Sequence, residues 1–561
     1  MTILTMDGCT RPLPVVDDDN RDYWEAGAEG MLSFASCAGC DALLHPPVPV
    51  CRYCRSSEQA RRMVPGDGVV IGYSVNHQLW DPRFPPPYCV AVVALDADPR
   101  VRITTNIVDV AESDLEVGMR VTPRFEQQED VWIPLYVPAG GGGDLPDDEI
   151  DPAQHRRSVR PMVRTDRFEE RVAITGIGKS QIGRRLMRPP LSLTIDAVRA
   201  AVADAGLTFE DIDGLSTYPG NTTVGGFGEG GITALEDALG LRPTWYNGGA
   251  ETFGPAGSVI AAMMAVAAGL ARHVLCFRTV WQATYAAQLR AGSGGGGNPY
   301  GMGQGGGRVP GYSGPYGEGS AAIPLAIRAS NHFARYGTTR ETLGWIAVTE
   351  RTNAGLNPDA VYRDPMTMDD YLSARLIASP LGLYDCDVPA DGSVAVIVSA
   401  VETARDLRSQ PVFVEAVGTQ LTERVAWDQS TMTHEPHSLG PSAHLWTRTS
   451  LTAADVDVAL LYDGFSFNCL SWLEGLGFCG IGEAKDFLAG GRNIAREGGV
   501  VALNPHGGQL SAGRTHGMGF VHEAVVQLRG DGGARQVDGA RVAVVSSGGL
   551  TPAGVILLRG A

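Results

Sequence analysis

Residues 451–465 read LTAADVDVALLYDGF, and residues 207–220 read LTFEDIDGLSTYPG. Both carry an L-T-x-x-D-[I/V]-D core. A glycine-led helical pattern and an apolar run follow in each case: GSVIAAMMAVAAG then HVLCFRTV, and GMGFVHEAVVQLRG then RVAVVSS. Two related halves of one α/β domain explain this echo, and halves that face each other across a pseudo-twofold axis leave a ligand site between them. VAITGIG, VAVIVSA, FVEAVG and GVILLRG add further buried strands, since near-continuous apolar runs belong to sheets covered on both faces. SLTIDAVRAAVADAGL (192–207) has the apolar spacing of a helix. In the second copy the strand 458–462 runs into a polar turn at Tyr462 and Asp463. Strand ends are where α/β proteins place chemistry. Tyr462 is thus a catalytic candidate, against the reading of a core tyrosine with a satisfied hydroxyl. Asp463 orients the site or, the favoured reading, caps the following turn.

The chain has 561 residues, enough for two to four domains. Apolar content of 44% and charged content of 19% are those of a globular protein. A net charge of -18 argues against nucleic acid or an anionic membrane as the main partner. The first twenty residues show no basic start followed by an apolar run, and the longest apolar stretch, 259–271, is too short to span a bilayer. Ten cysteines do not suggest a secreted disulfide scaffold, so a reducing, cytoplasmic setting is expected.

Four of those cysteines have metal-ligand spacing. CAGCDALLHPPVPVCRYC places Cys37, Cys40, Cys51 and Cys54 in two C-x-x-C knuckles separated by ten residues. Four thiolates close a tetrahedral Zn²⁺ shell, so the expected metal is structural. The β-rich runs VVIGYSVN, YCVAVVAL, VRITTNIV and MRVTPRFE follow, and fit a small barrel. The segment 138–168, rich in glycine and then in charge and proline, reads as an interdomain linker. The glycine-rich loop 291–319 contains a G-x-G-x-x-G match at Gly301, Gly303 and Gly306. It follows no strand-to-helix turn, so a dinucleotide site is rejected and a mobile loop over a site is expected.

The second block resembles the thiolase superfamily, nearest to the thiolase-like lipid-transfer proteins related to sterol carrier protein X. The resemblance is carried by VAITGIG…AVRAAVADAGL…DIDGL, by the stretch 350–398, and above all by NPHGGQLSAGRTHGMGFVHEAVVQLRG (504–530). The first block resembles the zinc-ribbon and OB-fold family called domain of unknown function 35. Together they imply an arm and zinc ribbon over 1–60, an OB-fold over 61–138, a linker over 139–168, and thiolase-like halves over 169–408 and 409–561. The implied fold is a five-layer αβαβα domain, a homodimer, with acyl-CoA as substrate.

The departures matter more. The family's acyl-accepting cysteine is expected at about Thr252 or Phe253, yet no cysteine lies between Cys89 and Cys276. Tyr462-Asp463-Gly464-Phe465 stands where the family has an HxxF-like motif. Gly513-Arg514-Thr515 replaces a GHP-type turn, and Ser546 and Ser547 stand where a late cysteine is expected. The branch this pattern resembles is the thiolase-like aldolases of steroid side-chain degradation. The implied reaction is a retro-aldol on a β-hydroxyacyl-CoA, with CoA as part of the substrate and no redox nucleotide. Tyr462 and His516 are the implied proton-transfer residues, with Asp463 beside them. Arg514, His506, Tyr316, Gly508 and Gly517 are the implied substrate-binding set, the glycine turns aiming N–H groups at an enolate oxygen. For each side chain a structural role is the competing reading: a turn-bonded histidine, a surface-paired arginine, a chemically idle loop tyrosine. The arginines of GRRLMRPP (183–190) are candidates for CoA phosphates. Two other functions compete: an acyltransferase or Claisen-type enzyme with a relocated nucleophile, Cys469 or Ser546 being the residues to test, and a non-catalytic acyl-CoA scaffold for a partner hydratase or dehydrogenase.

Overall fold

The computed structural model describes all residues except 1, 148–156, 163–165, 222–223, 250–251, 253, 293–309, 425, 436 and 549–551. Among the described residues the largest sheet has ten strands. In chain order they are β1 (Val172–Lys179), β2 (Gly214–Thr217), β3 (Trp245–Asn247), β4 (His273–Trp281), β5 (Asp391–Ala400), β6 (Val412–Gly418), β7 (Val458–Leu460), β8 (Ala502–Leu503), β9 (Val542–Ser547) and β10 (Gly554–Arg559). Their spatial order is β3-β2-β4-β5-β1-β6-β10-β9-β7-β8. The second five strands repeat the order of the first five in mirror sequence about the β1–β6 junction, where Ala173 meets Phe413 and Ile174 meets Val412. The duplication read from 207–220 and 451–465 is thus the duplication of β2 and β7.

Alternate residues on these strands explain the layering, because successive strand side chains face opposite ways. Val394, Val396 and Val398 of β5 and Ala543 and Val545 of β9 enter one core with the helices Pro255–Ala267 and Met518–Arg529. Ala395 and Ile397 enter a second core under helix Pro190–Ala205. Val544, Val555 and Leu557 enter a third, which holds helix Ser466–Leu476. The result is helix, sheet, helix, sheet, helix: the expected five-layer α/β fold. The outer helix 190–205 lies directly on β1, where a Cβ on Gly176 would stand 2.5 Å from the Ala201 carbonyl oxygen. Its left-handed Gly206 (φ 72°) ends it, with the amides of Gly206 and Leu207 returning to Ala203 and Val202.

The N-terminal block forms a three-stranded ribbon (Leu32–Cys37, Leu43–Leu44, Gln59–Val64) and a barrel. The barrel strands are Gly68–Asn76, Tyr88–Leu95, Asp98–Thr105, Met119–Gln128 and Val131–Gly142. A parallel bridge from Ile107 to Tyr136 closes the ring. The strand Gln59–Val64 crosses the boundary expected at 60, and Val131–Gly142 continues past 138 into the expected linker. Backbone pairing explains the second case: Gly142 lies opposite Met119, and glycines need no side-chain burial to stay in a ladder. The Pro146 carbonyl also accepts from Arg335 (2.7 Å), so the segment to 147 is docked. Residues 148–156 and 163–165 lie outside the described residues.

The barrel rests on the second block. A Cβ on Gly72 would stand 2.6 Å from the Ile327 carbonyl oxygen, so helix Ala322–Tyr336 lies flat on strand 68–76. Thr104 donates to Asp428 (2.9 Å), Gln429 donates to the Arg102 carbonyl (2.7 Å), and Asn331 donates to the Ile71 carbonyl (2.6 Å). The glycine-rich loop corrects an expectation. Its first part, 293–309 with Gly301, Gly303 and Gly306, lies outside the described residues. Its last part is no cover for a site. Tyr312 and Tyr316 are buried in the ribbon and barrel core, Tyr312 against Tyr23, Trp24 and His45, and Asn106 donates to the Tyr316 carbonyl. Tyr316 is fully buried there, packed as a core residue and not as a free loop tyrosine. Two aromatic rings gain far more from that core than from solvent. No helix among the described residues is long and apolar enough to cross a membrane.

Candidate active site

β7 delivers Tyr462 to the point where the two halves meet. Its backbone N–H donates to Ser546 Oγ at the end of the neighbouring β9 (2.9 Å). Its ring is half-buried, edge-on to Phe520 at 6.5 Å, and folds over Gly464. A Cβ at Gly464 would stand 2.8 Å from the ring and 3.0 Å from the hydroxyl. The hydroxyl has no hydrogen-bond partner among the described residues. Burial raises the phenol's pKa above its ordinary value, against the pull of the Arg514 guanidinium. Tyr462 is therefore a phenol at neutral pH. A Gly464→Ala variant is expected to displace the ring and lower kcat by about 10²-fold. The fold should persist, as the retained far- and near-UV circular dichroism would show.

Asp463, the next residue, turns inward and is fully buried. Its Oδ2 accepts the N–H groups of Gln509 (2.7 Å) and Leu510 (3.2 Å), capping the turn Gly508–Ala512. Gln509 Oε1 in turn accepts the His516 N–H (2.8 Å). The His516 ring stacks on Phe227 at 4.9 Å, and its Nδ1 faces Arg278 Nη2 at 2.6 Å. A guanidinium only donates, so Nδ1 is the acceptor and Nε2 carries the proton. Burial and the neighbouring Arg278 and Arg514 push the His516 pKa well below its ordinary value. His516 is thus a neutral, fixed N–H donor.

The other expected contacts separate. Arg514 makes a bidentate ion pair with the buried Asp387 and donates to Gln282 Oε1 (2.7 Å). Its charge is already matched, so it is no open cradle for phosphate or carboxylate. The His506 ring meets Phe520 edge-on (5.4 Å), and burial lowers its pKa to about 4. Gly508, with φ +59°, has no room for a side chain: a Cβ there would strike the carboxyls of Asp463 and Glu350. Gly517 (φ 85°) caps helix Met518–Arg529, its carbonyl accepting from Phe520 and Val521. On the first half, Ser547 Oγ accepts the Ala256 N–H (3.0 Å) at the start of helix Pro255–Ala267. Thr252 is half-buried nearby in sequence, and Phe253 lies outside the described residues.

Sequence reasoning missed Arg278, Glu350, Gln509 and Asp387. Arg278 had a signal: it is a charge inside the apolar run HVLCFRTV. The structure buries it, with Nη1 donating to the carbonyls of Tyr218 (2.7 Å) and Phe227 (3.2 Å). Burial lowers its pKa to about 10, still a cation at neutral pH.

The four ribbon cysteines converge. Their Sγ atoms all lie within 4.8 Å of one another, with Cys37–Cys54 at 3.3 Å and Cys40–Cys51 at 3.7 Å. A tetrahedron of Zn–S bonds of about 2.3 Å needs sulfurs about 3.8 Å apart. Each knuckle closes through a left-handed residue, Asp41 (φ 57°) and Arg55 (φ 66°), whose amides return to Cys37 and Cys51. These are the ligands of a zinc ribbon. A second convergence, His332, His434 and Glu474, is fully buried. It closes on itself: His434 lies 2.7 Å and His332 3.4 Å from Glu474 Oε2, while Thr433 and Thr338 face the other ring nitrogens. Burial alone would raise the Glu474 carboxyl; the two histidine hydrogen bonds hold it below its ordinary value. Its hydrogen bonds are complete without an ion.

A duplicated five-layer domain, with a tyrosine and two serines at its inner strand ends and no cysteine at the nucleophile position, defines a thiolase-superfamily protein without the thiolase nucleophile. The comparisons agree. Residues 422–558 match the description "Thiolase C-terminal domain-like", residues 62–126 the ChsH2 C-terminal OB-fold domain, and residues 24–58 the ChsH2 rubredoxin-like zinc ribbon. A steroid side-chain-cleaving aldolase of Thermomonospora curvata is 34% identical over 69% of this chain and 97% of that protein. A 17-hydroxy-3-oxo-4-pregnene-20-carboxyl-CoA lyase of Mycobacterium tuberculosis is 36% identical over 69% of this chain and 98% of that protein. Among solved structures, an Ltp2-ChsH2(DUF35) aldolase superposes with a TM-score of 0.61 at 31% identity, covering 70% of this chain and 98% of its own. The chain belongs to the family of thiolase-like aldolases, and carries ChsH2-type zinc-ribbon and OB-fold domains in the same polypeptide.

Proposed function

We propose that this chain is a CoA-thioester aldolase that cleaves a β-hydroxyacyl-CoA, with a bulky, steroid-like acyl group as the substrate class. The observation that carries the reading is a partnerless phenol, Tyr462, which shares the charges of Arg278 and Arg514 with a neutral histidine N–H donor, His516, in a thiolase architecture that lacks the thiolase nucleophile. An acyl-enzyme needs an activated nucleophile. Cys469 is buried in helix Ser466–Leu476 with its thiol pKa pushed well up, which disfavours that route.

In the proposed reaction the β-hydroxyl proton passes to the phenol oxygen of Tyr462 in step with transfer of the phenol's own proton to Cα. The Cα–Cβ bond breaks, its electron pair going to Cα as a thioester enolate. The hydroxyl carbon becomes a ketone or aldehyde carbonyl, and the proton relayed by Tyr462 ends on Cα. A phenol suits both transfers, because its ordinary pKa of about 10 lies between those of an alcohol and a carboxylic acid. His516 Nε2–H steadies the enolate oxygen, fixed dipoles being most effective where water is excluded. Arg278 supplies a buried positive charge behind His516. Arg514 tunes Tyr462 electrostatically and does not hold the substrate. A homodimer belongs to the same reading: β3 is an edge strand of the sheet and its Tyr246 is 69% exposed. Incubation of the purified chain with a bulky β-hydroxyacyl-CoA, read by mass spectrometry, should yield a carbonyl product and a shortened acyl-CoA. A covalent acyl adduct on the protein, with no carbonyl product, would overturn the proposal.

A further inference from the structure

Behind Tyr462 two acidic side chains meet without a cation. Glu350 comes from helix Arg340–Gly355 and Asp463 follows β7; both are fully buried. Glu350 Oε1 accepts from Asn504 Nδ2 (2.7 Å), but Oε2 has no donor among the described residues. That oxygen and Asp463 Oδ2 close over Gly508, where a Cβ would strike both. The groups facing the pair are Tyr462, the Cys469 thiol from helix Ser466–Leu476, and Asp387, whose charge is matched by Arg514. Two ionised carboxylates offer only acceptors, and burying both unpaired is strongly unfavourable.

We infer that Glu350 and Asp463 share one proton, and that this pair acts as a positioning device, holding the Gln509 turn to which the His516 backbone is tied and so fixing where the His516 ring donates. A proton on Glu350 Oε2 makes the orphaned oxygen a donor to Asp463. It leaves Asp463 with one negative charge to accept the amides of Gln509 and Leu510. Burial, and then the Asp463 charge, holds the Glu350 carboxyl well above its ordinary range. Burial also raises Asp463 to about 6, even though hydrogen bonds from Glu350, Leu510 and Gln509 act against it. Both groups are raised, so the protonated pair is the low-pH form. Rising pH strips the shared proton, doubles the buried charge and loosens the turn.

The catalytic consequence rests on the aldolase reading; the shared proton does not. Glu350→Gln places an amide N–H where the proton was and cannot titrate. Glu350→Ala is expected to lower kcat by about 10²-fold. Glu350→Gln should recover most of that loss and move the alkaline limb of the kcat–pH profile upward by about one pH unit or more. A substrate-free readout separates the two ideas. At neutral pH, the infrared difference spectrum of wild type minus Glu350→Gln should show the carbonyl band of a protonated carboxylic acid. Asp463→Asn, whose amide can donate to an ionised Glu350, should lose the same band. Absence of the band in both comparisons overturns the shared proton. A band with an unchanged alkaline limb in Glu350→Gln overturns the positioning role. A band in a protein that cleaves no β-hydroxyacyl-CoA leaves the shared proton standing and removes the aldolase reading instead.

Discussion

Tyr462→Phe is expected to lower kcat for carbon–carbon cleavage by about 10²–10⁴-fold, the usual worth of one positioned proton-transfer group. The fold should be untouched. Among the described residues the hydrogen bond that ties Tyr462 to β9 comes from the main chain, to Ser546, and phenylalanine keeps it. The ring contact with Phe520 and the seat over Gly464 are also kept. The deleted hydroxyl strands no buried partner, so stability should change by no more than about 0.5 kcal/mol. Acyl-CoA affinity should be close to wild type, since the loss falls on the reacting proton and not on the handle. Steady-state kinetics with a bulky β-hydroxyacyl-CoA, paired with a thermal melt and a calorimetric titration of a non-cleavable thioester, separates these effects. Wild-type turnover in a folded Tyr462→Phe variant would remove the phenol from the mechanism.

The largest effect on stability is expected from zinc. Around the four sulfurs the buried apolar cluster is small, consisting of Cys37, Leu44 and Cys51 with Ala35 and Val48 beside it. So little apolar surface cannot hold two knuckles in left-handed turns. Metal binding to such sites is worth about 10–16 kcal/mol in isolated zinc-finger peptides. Cys51→Ser, or exhaustive chelation, should therefore release the single bound zinc, measurable by elemental analysis. It should also expose the two knuckles, residues 37–56, to limited proteolysis. The thiolase-like sheet, with its own cores, should survive. A ribbon that stayed protease-resistant without metal would mean that its docking against the barrel, not zinc, supplies its order.

Much of this architecture was legible before the structure. Seven of the ten strands appear as apolar runs because both faces of the sheet are covered there; the short β2, β3 and β8 carry no such run. The cysteine spacing named the metal site, and the echo between 207–220 and 451–465 named the symmetry. What stayed hidden is long-range side-chain pairing. Nothing near Arg514 in the sequence announces Asp387, and nothing near Glu350 announces Asp463 or Asn504. Tyr316 looks like a free loop residue until the barrel core closes round it. Arg278 is the instructive middle case. A cation in a buried strand must have partners, so its importance was visible even though its contact with His516 was not. Asp463 illustrates the reverse: it was expected to cap the turn that follows it, yet its carboxylate accepts the amides of the distant Gln509 and Leu510, and nothing in the sequence revealed that a glutamate from another helix leans on the same oxygen.

Tyr312 and Tyr316 are translated as part of one module and find their burial in another. Made separately, the second block would emerge from the ribosome with two naked rings, and the first with a vacant greasy socket. Joining the two on a single polypeptide keeps socket and plug at millimolar effective concentration from the moment both exist. It also fixes their ratio at one to one, a guarantee that two independent genes would have to achieve by regulation.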